Sequence, residues 1–144
     1  MKIFLLVFFI AGFAFAQSAK TQLLITDPWV RPAAKGANSA FFFKLENKGD
    51  IADTLISCKY AYSEIVELHE TFKKDNDMMG MRTVKYVALP SKGRVDFKPR
   101  DLHIMLIGLS KDIRIGESCE LILVFKNSGE IKTTAVVRDM PKKK

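Results

Sequence analysis

Apolar and polar residues alternate with a period of two along one short stretch after another, and Gly, Pro, Asn and Asp interrupt the pattern at short intervals. No stretch of twelve or more residues carries an amphipathic helical stripe. A chain patterned in this way is expected to be all-β. In Ser39 to Glu46, Phe41, Phe43 and Leu45 share one face and Phe42, Lys44 and Glu46 the other, before a turn at Asn47-Lys48-Gly49-Asp50. Thr21 to Thr26 reads as a first strand, broken at Asp27-Pro28-Trp29, with a loop from Arg31-Pro32-Ala33 onward. Ala52 to Cys58 reads as a strand with Leu55 and Ile56 at its core. In Glu64 to Glu70, Val66 and Leu68 point one way and Ile65, Glu67 and His69 the other.

Met81 to Leu89 is the expected antiparallel neighbour of that strand, and the hairpin between them brings His69 and Met81 to the same end. A short strand at Arg94 to Phe97 precedes a break at Pro99. Leu102 to Leu109, if extended, sets His103, Met105 and Ile107 on one face and Ile104 and Leu106 on the opposite one. Glu120 to Lys126 and Glu130 to Val137 form a last hairpin around Asn127-Ser128-Gly129. Eight or nine strands in 144 residues, with no internal repeat, predict one domain built as a two-sheet sandwich.

The first residues stand apart from this pattern. Met1-Lys2, the apolar run Ile3 to Phe13 and the A-x-A sequence Ala14-Phe15-Ala16 read as a signal peptide over residues 1–16, which implies export. The run meets Gln17, Ser18 and Lys20 before reaching the roughly 20 apolar residues a spanning helix needs, and no later stretch is long and apolar enough to span. Removing the leader with its one lysine lowers the formal charge from +7 to +6. The remaining basic residues are scattered except for Lys142, Lys143 and Lys144, in a tail over residues 139–144 expected to be mobile. Such a surface suits an acidic partner or an anionic membrane surface and argues against nucleic acid for an exported chain. Cys58 and Cys119 leave two possibilities open, one disulfide or two separate buried thiols; a redox C-x-x-C pair is absent.

Both histidines of the chain, and Met78, Met79, Met81 and Met105, fall between His69 and Met105. Imidazoles and thioethers without thiolate or carboxylate are a soft donor set that suits Cu(I). In an extended strand the i, i+2 pair His103 and Met105 aims at one point, whereas a helix turns them about 200° apart. Thioethers also suit an oxidising compartment, where paired thiols are lost to disulfides. Histidine must be neutral to bind, so acid weakens such a site. Met78 and Met79, in the connection before Met81, read as loop residues that could assist transfer or do nothing, and Met140 is a weaker candidate still.

The spacing His69, Glu70, ten residues, Met81, twenty-one residues, His103, one residue, Met105 resembles the H(M)-x10-M-x21-H-x-M motif of PCuAC-type periplasmic copper chaperones. Glu70 stands where the motif has its optional methionine. Asp27-Pro28-Trp29-Val30-Arg31, Val66-Glu67-Leu68-His69-Glu70 and His103-Ile104-Met105-Leu106-Ile107-Gly108-Leu109 resemble further segments of that family, so the likeness covers most of residues 17–138. It implies a cupredoxin-like Greek-key β-sandwich. It also implies a Cu(I) carrier with His69, Met81, His103 and Met105 as ligands, handing copper to an acceptor such as a cytochrome c oxidase subunit or its assembly factor. Some family members carry a His- and Met-rich tail for another copper; lysines stand there here, which implies one principal site.

An enzyme reading finds little support, since neither a G-x-S-x-G elbow nor a Gly-rich phosphate loop is present and both histidines are committed to one site; a redox copper enzyme is the nearest enzymatic alternative. A blue-copper carrier needs a cysteine within its ligand set, and neither cysteine lies between the candidate ligands. The competing reading is an exported β-sandwich that binds a protein partner or stores copper without directed delivery. A monomer is expected.

Overall fold

The computed structural model describes residues 21–140; the expected leader, residues 1–16, and the three terminal lysines lie outside the described residues. Ten strands follow one another: β1 (Leu23–Val30), β2 (Ser39–Asn47), β3 (Asp53–Lys59), β4 (Ser63–Lys73), β5 (Met79–Thr83), β6 (Val87–Leu89), β7 (Arg94–Phe97), β8 (Leu102–Leu109), β9 (Ser118–Phe125) and β10 (Gly129–Val137). Their hydrogen-bonded order is β5-β4-β8-β2-β1-β10-β9-β3-β6, with β7 added to β2. Among the described residues only the β1–β10 pairing is parallel. The path folds over at β1, so that β4, β8, β2 and β7 face β10, β9, β3 and β6 across a single core. The architecture is the cupredoxin-like Greek-key β-sandwich that the resemblance implied.

Alternation builds that core. Phe41, Phe43 and Leu45 of β2, Leu68 of β4, and Ile104 and Leu106 of β8 meet Leu55 of β3 and Leu121, Leu123 and Phe125 of β9. The opposite side of the first layer carries a second, smaller apolar cluster of Trp29, Ala40 and Phe42, against which Met105 packs. β8 is therefore covered on both faces at its start.

Several expectations need correction. β1 runs through Pro28: the register with β2 shifts between Thr26 and Trp29, and Asp27 takes a positive φ of 51°. A bulge spends the proline where no ladder donor is needed, and the strand resumes. The expected strand from Met81 to Leu89 divides in two. β5 stays with β4, whereas β6 crosses to the other layer and pairs with β3. Ile56, expected in the core beside Leu55, is exposed because neighbours on a strand face opposite ways.

The cysteine question is also answered by register. Cys58 lies opposite Leu123, while Cys119 sits four positions earlier on β9, so the two are about 13 Å apart along the strand. Their Cα atoms are too far apart for a disulfide. Both are free and buried, and burial pushes the Cys58 thiol up to about 12.

One buried carboxylate holds the far end of the sandwich. Asp53 accepts hydrogen bonds from the backbone N–H of Thr54 (2.7 Å), Asn127 (2.9 Å) and Ser128 (3.0 Å) and from the Ser128 hydroxyl (2.5 Å), tying β3 to the β9–β10 turn. Burial opposes its charge, but these donors prevail and hold the carboxyl below the ordinary carboxylate range. A depressed folded-state pKa contributes stability above the unfolded value of about 3.9, and that stability is lost as pH falls through the folded value. Asp53→Ala is therefore expected to cost about 2 kcal/mol at pH 7 and to flatten the acid limb of stability against pH. Urea midpoints from pH 7 to pH 3 check both; an unchanged acid limb would contradict the assignment.

Candidate metal centre

Three strands bring the candidate donors onto the outer face of the first layer. β4 lies between β5 and β8, with His69 opposite Thr83 on one side and opposite His103 on the other. Met105 is opposite Glu67, and Met81 is opposite Thr71. Cross-strand partners share a face, and so do residues two apart. Glu67, His69 and Thr71, Met81 and Thr83, and His103 and Met105 accordingly stand on the same side of the sheet. The expected face of β8 is the observed one, with Ile104 and Leu106 turned into the core. Met81 differs slightly from expectation: Thr83 is directly across from His69, and Met81 is one step further along the face. The donors lie on the sheet surface, where the expectation set them at a hairpin end.

The two imidazoles are 5.8 Å apart between ring centroids and tilted by 59°. One ion about 2 Å from a nitrogen of each ring would set the centroids at most about 6 Å apart, so this spacing suits a shared ion. Each ring also has its tautomer selected by a neighbour. The Nδ1–H of His103 donates to the Asp101 carbonyl at 2.9 Å, in the turn that leads into β8, and this leaves Nε2 as the free lone pair. The Nε2–H of His69 donates to Glu67 Oε2 at 2.7 Å, while the Thr83 hydroxyl donates to the same oxygen at 3.4 Å. The free lone pair of His69 is then on Nδ1, a buried atom with no hydrogen-bond partner among the described residues. A buried acceptor without a donor is costly unless something is meant to occupy it.

His103 is buried, with the ring of Phe42 6.3 Å away and Trp29 stacked on Phe42 at 4.4 Å. Burial pushes its pKa below the ordinary histidine range against the pull of the Asp101 carbonyl, and the nearby charges of His69 and Arg31 push the same way. The ring therefore keeps its lone pair at neutral pH. Met105 is half-buried against Phe42, but Met81 is 64% exposed. One donor is thus held rigidly and another is free to move.

Beside these groups opens a cavity of about 350 Å³, whose wall includes Phe42, Met79, Met81, His103, Met105 and Met140. Among the described residues no three His, Cys, Asp or Glu side chains gather into a metal site, and the candidate donors are two imidazoles and the thioethers of the cavity. Imidazole and thioether donors match a soft ion better than a hard one.

Reading the residues alone missed two features and ranked a third, Met140, lowest among the candidates. Glu67 puts a carboxylate against His69; its signal was the i, i−2 spacing on the same face. Phe42, on the polar face of its strand, roofs His103. Met140 reaches the cavity across the fold, which no local pattern announces. Met78, by contrast, is exposed and does not line the cavity.

The sequence profile of the LpqE-like family matches residues 23–137. The uncharacterized protein RP573 of Rickettsia prowazekii is 30% identical over 129 residues, 85% of this chain and 71% of its own length. Among solved structures, the copper-bound PCuAC domain from PmoF2 superposes with a TM-score of 0.68 at 27% identity, covering 82% of this chain and 93% of that one. The Cu(I) form of DR1885 from Deinococcus radiodurans shares the fold, with a TM-score of 0.63 at 22% identity over 87% of this chain and 83% of that one.

Proposed function

The chain belongs to the LpqE-like, PCuAC-type family, and from that premise we propose that it is an extracytoplasmic copper chaperone, a carrier and not an enzyme. It binds one Cu(I) through His69, Met81, His103 and Met105 and passes it to an acceptor in the assembly of a cytochrome c oxidase copper centre. The observation that carries this reading is the orphaned Nδ1 of His69 on the same sheet face as His103, Met105 and Met81. The copper-bound state of the PmoF2 domain supports copper as the ion. Export to the periplasm is supported by the family's lipoprotein description and by the leader pattern of residues 1–16.

The donor set explains why such a site can both hold and release. His103 is buried and Met105 half-buried on β8, whose start is covered on both faces, and the two give a fixed floor. Met81, on the edge strand β5, is exposed and can follow an ion outward. Glu67 orients His69 from behind. Arg31 and Arg100 border the cavity and favour an acceptor with acidic residues around its own copper site.

Titration of the mature apo protein with Cu(I) against a competing chelator is expected to give one tight equivalent. The loaded protein is then expected to donate its copper to an apo oxidase copper-site fragment. Tight binding with no transfer to any oxidase fragment would favour storage over delivery.

A further inference from the structure

We propose that Met140 is an exchange thioether donor to the copper site, able to stand in for Met81 so that Cu(I) keeps at most four donors; the inference rests on the copper reading above. The chain contains six methionines, and four of them, Met79, Met81, Met105 and Met140, line this one cavity with His103. They arrive from three separate places in the fold. In the strand order, β5 with Met81 is at one edge, β8 with Met105 and His103 is two strands in, and Met140 follows β10, three strands beyond β8. Residues far apart along the sheet path are thus brought to the wall of one cavity.

Met140 is held close to this position. Two residues earlier, the Arg138 backbone N–H donates to the Val30 carbonyl at 3.0 Å, and the Arg138 guanidinium pairs with Asp27 at 3.0 Å and lies 5.0 Å above the Trp29 ring. Two residues span at most about 7 Å, so Met140 cannot stray far from that anchor. Trp29 in turn stacks on Phe42, the neighbour of His103. Packing alone does not account for a methionine here: the residue is 45% exposed and buries little apolar area, yet it lines the same cavity as a soft donor set. A neutral thioether joins or leaves Cu(I) without gaining or losing a proton, and the copper stays Cu(I) throughout.

The test uses the mature protein labelled with 13C at its methionine methyls, because Cu(I) is diamagnetic and leaves those signals sharp. At one equivalent of Cu(I) the Met140 methyl, assigned by its loss in Met140→Leu, is expected to shift together with those of Met81 and Met105, while Met78 stays in place. Met140→Leu is also expected to release Cu(I) to a chelator about tenfold faster than wild type. Shifts at Met81 and Met105 with Met140 unmoved, or equal release rates, overturn this inference and leave the copper reading standing. No methyl shift at any of the three overturns both.

Discussion

Replacing His103 and Met105 together by alanine is expected to abolish the tight Cu(I) equivalent. Loss of a group that merely orients a ligand costs about 10- to 100-fold in affinity, so losing two donors from the rigid floor should cost at least about 1,000-fold, or roughly 4 kcal/mol. Glu67→Ala supplies the comparison: it removes the carboxylate that fixes His69 and should stay within the smaller range. Chelator competition with all three proteins reads the order. Because both substituted side chains lie on the outer face, away from Phe41, Phe43 and Leu68, thermal unfolding should show the double variant still folded. Copper binding that survives the double change would sink the donor assignment.

How much of this was legible follows from which residues signal locally. The donor spacing was readable because β4 and β8 are regular: every second residue from Glu67 and from His103 faces the same way, and the two strands are neighbours in the sheet. The division between β5 and β6 was not readable, because Val84, Val87 and Leu89 are all apolar and nothing in them says that the chain leaves one layer for the other at Lys85-Tyr86. Pro28 misled for the reverse reason. It is a strong local breaker, but a bulge at Asp27 absorbs it and β1 goes on to pair with β10. The disulfide question depended on where two strands lie along a third, and sequence separation carries no such information. Glu67 and Phe42 were assigned to the right faces, yet their tasks emerge only once β5 and β1 are placed beside them.

The same alternation predicts that two adjacent phenylalanines do different work. Phe43 is fully buried in the main core, stacked on Phe97 at 4.3 Å and Phe41 at 4.7 Å. Phe43→Ala should cost about 3 to 5 kcal/mol through lost burial and the cavity left behind. That is a large share of the roughly 5 to 15 kcal/mol by which a domain is stable, so the urea midpoint should fall steeply. Below that midpoint the copper affinity should be close to wild type, since the β8 donors face the other way. Phe42, one residue earlier, turns its ring to Trp29 and His103 and borders the open cavity, so Phe42→Ala leaves a smaller enclosed void and costs less stability. Its loss should instead let water reach His103 and loosen Met105, and Cu(I) affinity should drop about tenfold or more. Equilibrium unfolding and chelator competition on the two variants separate these effects. If both lose stability alike while Phe42→Ala keeps wild-type copper affinity, the outer cluster is a second patch of core and not the wall of the metal centre.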